Sequence, residues 1–250
     1  MSKRNKAKKT VSQPYLVCIA AVILVLIVVG LVLSHCLEPN DPTIPAGTKP
    51  AYSIQIEEAE DVSINLGYGM YLEDVAKYTG VYMEDGTDEV VSGILMVMVK
   101  NTGPQDIQYA EIELPVGDER AMFTLTNLPV GESVVLLEKN RMAYNSEEKY
   151  QTAIVKNVIV FQEPMSLHTD KLKIQEMNGV LNVTNISGED ITADVVIYYK
   201  NSSADMLYGG ITYRVVISGG IPKGVTQQIL AGHFRASGSR IVQVTCGEAA

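Results

Sequence analysis

From residue 52 onward the chain is a series of short apolar runs broken every few positions by polar residues. Tyr52-Ser-Ile-Gln-Ile56, Ile94-Leu-Met-Val-Met-Val99, Ser133-Val-Val-Leu-Leu137, Val158-Ile-Val-Phe161, Asp194-Val-Val-Ile-Tyr-Tyr199, Thr212-Tyr-Arg-Val-Val-Ile217 and Ile241-Val-Gln-Val244 are rich in β-branched and aromatic residues. Several of them alternate polar with apolar positions, the period of a half-buried strand. Turn formers separate them: Asn101-Thr-Gly-Pro104, Pro129-Val-Gly131, Ser187-Gly188, Ser218-Gly-Gly220 and Ser237-Gly-Ser239. Many short strands at near-regular spacing predict an all-β protein of sandwich type. Helix is expected only around Leu72–Tyr78, and there for a turn or two.

One apolar run is different in kind. Tyr15 to Ser34 is 20 residues without a charge. As a helix it is about 30 Å long, the thickness of a bilayer's hydrocarbon core, and a helix satisfies its own backbone there. Lys3, Arg4, Lys6, Lys8 and Lys9 precede the run, and the first acid of the chain is Glu38. That asymmetry predicts a plasma-membrane span over 15–35 with a basic cytoplasmic stub at 1–14 and everything after it outside. Two other fates stay open at the exit. Val28/Gly30 or Val32/Ser34 suit signal-peptidase cleavage, and Leu33-Ser34-His35-Cys36 places a cysteine where lipidation would occur, although His35 fits that site poorly. The run is longer than an ordinary secretory core, which favours an uncleaved anchor.

The stretch 36–50 carries Pro39, Pro42, Pro45 and Pro50. Prolines at this density favour an extended, semi-rigid stalk.

Internal similarity organises the remainder. Val99-Lys-Asn-Thr-Gly-Pro-Gln-Asp-Ile107 aligns with Val183-Thr-Asn-Ile-Ser-Gly-Glu-Asp-Ile191, setting Asn101 on Asn185 and Asp106 on Asp190. Ile112 and Leu114 then match Val196 and Tyr198, and Leu128-Pro-Val-Gly131 matches Ile221-Pro-Lys-Gly224. The second copy is nine residues longer, with the excess expected near Asn201–Gly210. A strand ending in Asn, a polar turn, a returning strand and a later Pro-x-Gly turn describe one hairpin-based unit used twice. Two tandem β-sandwich domains follow, at 51–163 and 164–250.

The hairpin Asn185-x-Ser-x-x-x-Ile191 leading into Val195-Val-Ile-Tyr-Tyr-Lys-Asn201 resembles the FxLYD-type and related β-sandwich modules of Gram-positive surface proteins. Gly209-Gly-Ile-Thr-Tyr-Arg214 and Ser239-Arg-Ile-Val242 are similar to segments of uncharacterised single-pass proteins of Clostridia-like bacteria. The resemblance implies an Ig-like fold and a surface location, and no activity.

Charge narrows the partners. The chain holds 20 Lys+Arg and 29 Asp+Glu; without the five N-terminal basic residues the balance is 15 against 29, a formal −14. An acidic body of this kind repels nucleic acid, so no nucleic-acid partner is expected. Candidate chemistry is sparse. His35, His168 and His233 have no metal-ligand spacing, no nucleophile elbow or phosphate loop is present, and neither catalytic nor metal nor cofactor residues are assigned. The acidic clusters Glu57–Asp61 and Glu84–Glu89 lack the spacing of a calcium loop, and Asp85-Gly86 reads as a turn with solvated charges. Asn182, Asn185 and Asn201 sit in formal glycosylation sequons and read as turn residues. Tyr68, Tyr71, Tyr78 and Tyr82 form a tyrosine-dense stretch suited either to a partner-binding surface or to a sheet core. Cys36 and Cys246 fall on the same side of the span, so a disulfide between them is permitted, and two unpaired thiols fit as well. The expectation is a membrane-anchored protein with a protein partner, acting by binding or scaffolding, with an envelope enzyme or accessory subunit as the alternative.

Overall fold

The computed structural model describes residues 54–247 apart from residue 204. The apolar run, the proline-rich stretch and Cys36 lie outside these residues, together with the expectations placed on them. Among the described residues no helix is long and apolar enough to cross a membrane.

The described chain is all-β. Its strands are β1 (Gln55–Gly67), β2 (Met70–Val81), β3 (Val90–Asn101), β4 (Ile107–Val116), β5 (Glu119–Leu128), β6 (Ser133–Leu137), β7 (Ile154–Val160), β8 (Leu172–Met177), β9 (Val180–Asn185), β10 (Val195–Ser203), β11 (Met206–Ile217), β12 (Thr226–Leu230) and β13 (Ser239–Cys246). They form a seven-stranded sheet ordered β1-β2-β3-β6-β11-β10-β13 and two three-stranded sheets, β12-β9-β8 and β5-β4-β7.

The expected helical turn at Leu72–Tyr78 is instead the centre of β2. Leu72, Val75, Ala76 and Tyr78 are all buried, because both faces of this strand are covered. A register shift against β3 between Leu72 and Asp74 sets Leu72 and Val75 three residues apart on the chain yet in one core. A bulged strand buried on two sides imitates helical spacing.

One pairing scheme occurs twice. β2 and β3 pair antiparallel with Met70 opposite Asn101, and β8 and β9 pair with Leu172 opposite Asn185. β6 flanks β3 as β12 flanks β9. β4 pairs with β5 and β7, as β10 pairs with β11 and β13. Two main cores form, and the first also takes in Leu207 and Val242 of the second group. Leu72, Val97, Ile112, Phe123 and Leu136 belong to one cluster, and Leu181, Val183, Ile197, Tyr199 and Phe234 to another. The layering is β-sandwich-like, with side chains from two facing sheets meeting between them.

The repeated hydrogen bonds are specific. Asn101 and Asn185 are fully buried. Asn101 Nδ2 donates to the carbonyls of Gln105 (2.9 Å) and Leu128 (3.2 Å); Asn185 Nδ2 donates to those of Glu189 (2.7 Å) and Ile221 (2.8 Å). Each Oδ1 accepts the N–H two residues on, from Gly103 or Ser187. Asp106 accepts the Val130 N–H and Asp190 the Lys223 N–H, both at 2.8 Å. Side-chain amides thus replace backbone partners that an irregular turn lacks. Asn185 is a buried turn anchor, as its reading as a turn residue expects, whereas Asn182 lies within β9 and Asn201 within β10, each paired on both sides.

The two groups meet where β6 and β11 pair in parallel, Ser133–Val135 against Met206–Tyr208. That short ladder makes the seven-stranded sheet continuous across residues 163–164.

Candidate functional site

The richest polar chemistry of the described residues lies beside that ladder. The strap between β2 and β3, residues 82–89, crosses from the first strand group to the second. Tyr82 fastens its start, donating its hydroxyl to the carbonyls of Glu138 (3.1 Å) and Lys139 (2.8 Å), with the Arg141 guanidinium 4.5 Å above its ring. Arg141 also pairs with Asp85 (3.0 Å) and Glu89 (2.8 Å). Asp85 is an exposed carboxylate held below its usual range by its bond from Thr87 and by Arg141.

Glu84 turns inward. Its carboxylate accepts the Leu137 N–H at 2.9 Å and the Gly210 N–H at 2.9 Å to each oxygen. Lys200, fully buried near the end of β10, approaches the same segment from the other side. Its Nζ donates to the carbonyls of Gly209 (2.9 Å), Gly210 (3.1 Å) and Ile211 (2.8 Å). An ammonium has three donors and a carboxylate only acceptors, so this arrangement is complete when both groups are charged. Burial opposes the charges. It pushes the Glu84 carboxyl up and the Lys200 amine down to about 7, while each charge partly offsets the other's penalty.

Glycine is required at the centre of this clasp. A Cβ on Gly210 would lie 1.7 Å from the Thr124 carbonyl oxygen, so β11 rests on β5 backbone to backbone. Thr126 adds hydroxyl bonds to the Gly210 carbonyl (2.6 Å) and to Thr212 (2.8 Å). Asn127 bonds Gln243 at 3.0 Å, and Arg240 pairs with Glu132 at 2.6 Å. Gly209 and Gly210 lie in the nine-residue excess of the second copy and Lys200 immediately precedes it. The extra length lies in the arms of the β10–β11 hairpin that reaches the first group.

An aromatic column extends the junction. His233 stacks on Tyr213 at 4.6 Å, Tyr213 on Tyr199 at 5.4 Å, and Phe234 meets Tyr199 edge-on at 5.2 Å. His233 Nδ1 lies 3.5 Å from Asp88 of the strap. The Tyr213 hydroxyl is buried without a hydrogen-bond partner, and burial raises its pKa.

The four tyrosines do not form one surface. Tyr68 is 67% exposed at the β1–β2 turn, and Tyr71 is half-buried with its hydroxyl accepting from Asn65. Tyr78 and Tyr82 are core residues, the former bonding the Val81 carbonyl. Tyrosine density here reflects a two-sided core at one end of β2 and a presented ring at the other. The acidic clusters also diverge. Glu57 and Glu58 pair with Lys77, whereas Asp85 and Glu89 of the strap share Arg141, and Glu84 is a half-buried anchor rather than a solvated charge. Cys246 carries a free, half-buried thiol whose pKa burial raises; its expected partner Cys36 is outside the described residues.

Two clefts sit at matching places of the repeat. One of about 470 Å³ adjoins Asp106 and is lined by Pro104, Pro129, Phe161, Pro164 and Met165. The other, about 410 Å³, adjoins Asp190 and is lined by Asp170, Lys171, Glu189 and Cys246. Neither contains the clasp. Lys200 is fully buried with its donors engaged by three carbonyls, so the clasp holds strands together.

Sequence reasoning missed Glu84 and Lys200 as a pair. The only signals were a lysine at the end of an apolar strand and a Gly-Gly pair in the longer copy. No family model, curated protein or solved structure matches the chain.

Proposed function

We propose that this chain is a single-pass, N-in membrane protein that presents two tandem β-sandwich domains outside the cell and acts by binding or scaffolding in the envelope. The uncharged run 15–34, its basic flank and the proline-rich stretch support the anchoring. The repeated strand scheme supports two domains.

The observation that carries the binding role is the junction. Buried charges are costly and retained only when well paired, and here they are spent on fixing two similar β units at one spacing. A protein built to present surfaces in fixed relation gains from that arrangement, and an enzyme built around a pocket does not. Among the described residues the Tyr68 ring is the most exposed aromatic contact, and Tyr71 lies beside the same turn.

Photo-crosslinking in intact cells from position 68, with position 118 on the β4–β5 turn as control, tests the role. Capture of one protein from position 68 alone supports it, and equal diffuse labelling from both positions counts against it. The mass of the membrane-bound chain separates the anchor from its alternatives, because cleavage or lipidation at residues 30–36 changes it.

A further inference from the structure

An exposed sheet edge is a row of free backbone donors and acceptors, and proteins blunt such edges with charge, proline, bulges or cover. Among the described strands most outer edges are protected in one of these ways. β1 carries Glu57, Glu58, Glu60 and Asp61 and three register shifts. β7 has Lys156 and two register shifts, β8 has Lys173 and Glu176, and β13 has Arg240 and a shift. β5 is covered, because Lys139 N–H bonds the Met122 carbonyl and Gly210 lies against Thr124.

β12 has none of these protections. Its sequence is Thr-Gln-Gln-Ile-Leu, in even register with β9, and the chain is uncharged from Val225 to Gly232. The bonds from Asn185 N–H to the Val225 carbonyl and from Ala231 N–H to the Gly179 carbonyl fix which residues face β9. By antiparallel alternation, residues 225, 227, 229 and 231 bond inward. Thr226, Gln228 and Leu230 therefore direct their amides and carbonyls away from the sheet. Their side chains are exposed, Leu230 at 73%, and Leu230 begins a cross-strand row with Val180 and Met177.

The repeat supplies a second argument. β6 holds the same place beside β3 that β12 holds beside β9, and the outer edge of β6 is covered by β11. The same position in the second group is open.

We propose that β12 is a pairing edge through which two copies of this chain join, antiparallel about Gln228, into a six-stranded sheet β8-β9-β12-β12-β9-β8. The two-fold sets Gln228 against Gln228 and Thr226 against Leu230, with no charge opposing a like charge. The β4–β5 hairpin of another copy is a poorer occupant. It lacks the nine extra residues that carry β11 to β6, and it has Glu119 and Arg120 at the corresponding end. Five residues of ladder make a weak dimer, which a shared membrane strengthens through effective concentration.

The test uses the full chain in detergent micelles. Light scattering across a concentration series reads the oligomer, and Gln228→Cys in a background with Cys18, Cys36 and Cys246 changed to Ser reads the contact. A concentration-dependent dimer, disulfide-linked through position 228 and not through Asp118→Cys, is expected. Gln228→Pro removes an outward N–H and leaves the β9 ladder whole, a substitution that edge strands tolerate. It and Leu230→Lys should each weaken dimerisation about tenfold or more, the effect of losing one good interaction, with the thermal midpoint unchanged. A monomer at every concentration overturns the proposal. So does a dimer untouched by both substitutions, or crosslinking of position 228 to a different protein in cells.

Discussion

Glu84 and Lys200 hold the two ends of one residue: the carboxylate takes the Gly210 N–H at 2.9 Å and the ammonium takes its carbonyl at 3.1 Å. The carboxylate belongs to the first strand group and the ammonium to the second, with 115 residues of chain between them. The fold's junction thus depends on a charge pair that meets through a peptide rather than directly.

Lys200→Met leaves three carbonyls and one half-buried carboxylate without their cation. Removing one partner of such a pair costs about 3–5 kcal/mol, so the urea midpoint should fall accordingly. Glu84→Gln, which keeps an acceptor for the Gly210 N–H, should cost less than Glu84→Ala.

The same lysine sets a pH dependence. Its amine is pushed down to about 7 in the folded protein from an ordinary 10.5. Between those values the unfolded chain binds the extra proton, so stability rises with pH over that window. Above about pH 10 the sign reverses, because burial holds Tyr82 and Tyr150 protonated to about 12 while the unfolded chain releases those protons. Thermal midpoints should climb from pH 7 towards 10 and then fall. Lys200→Met should flatten the climb and leave the fall.

Two glycines separate space from torsion. Gly210→Ala drives a methyl against the Thr124 carbonyl and should cost at least about 3 kcal/mol. Gly131 sits at φ +82° with nothing within 4 Å of where a methyl would sit, so Gly131→Ala meets only a torsional penalty of about 1 kcal/mol. Chemical unfolding of both variants checks the difference.

Asn101→Ala and Asn185→Ala should be equally damaging, at roughly 2–4 kcal/mol each, because each strands buried groups that only the amide satisfies. They share no hydrogen-bond partner and serve different cores. Their costs should add to within about 0.5 kcal/mol in the double variant, if that chain is still folded.

The strands that alternate or run short and apolar were legible in the sequence. Ser133–Leu137 is β6 to the residue, and Ile94–Val99 lies within β3. The Asn, Asp and Pro-x-Gly matches located two equivalent turns because turn chemistry is local. β2 was not legible, since a bulge and two-sided burial erase the period of two. The clasp was not legible either, because Glu84 looks like one more acid in a hydrophilic turn until the fold brings Leu137 and Gly210 to it. Tyr78 and Tyr82 show the same limit: composition finds tyrosines, and only packing says which face inward.

A membrane-anchored, N-in chain exposes its two ends on opposite sides of the bilayer. Cysteines placed at Asn5 and at Ser218, one at a time in a chain without native cysteines, can be labelled in intact cells with a membrane-impermeant maleimide. Labelling is expected at 218 in intact cells and at 5 only after lysis, with the chain in the membrane fraction. Protection of 218 until lysis, or recovery of the full-length chain in the soluble fraction, would contradict it.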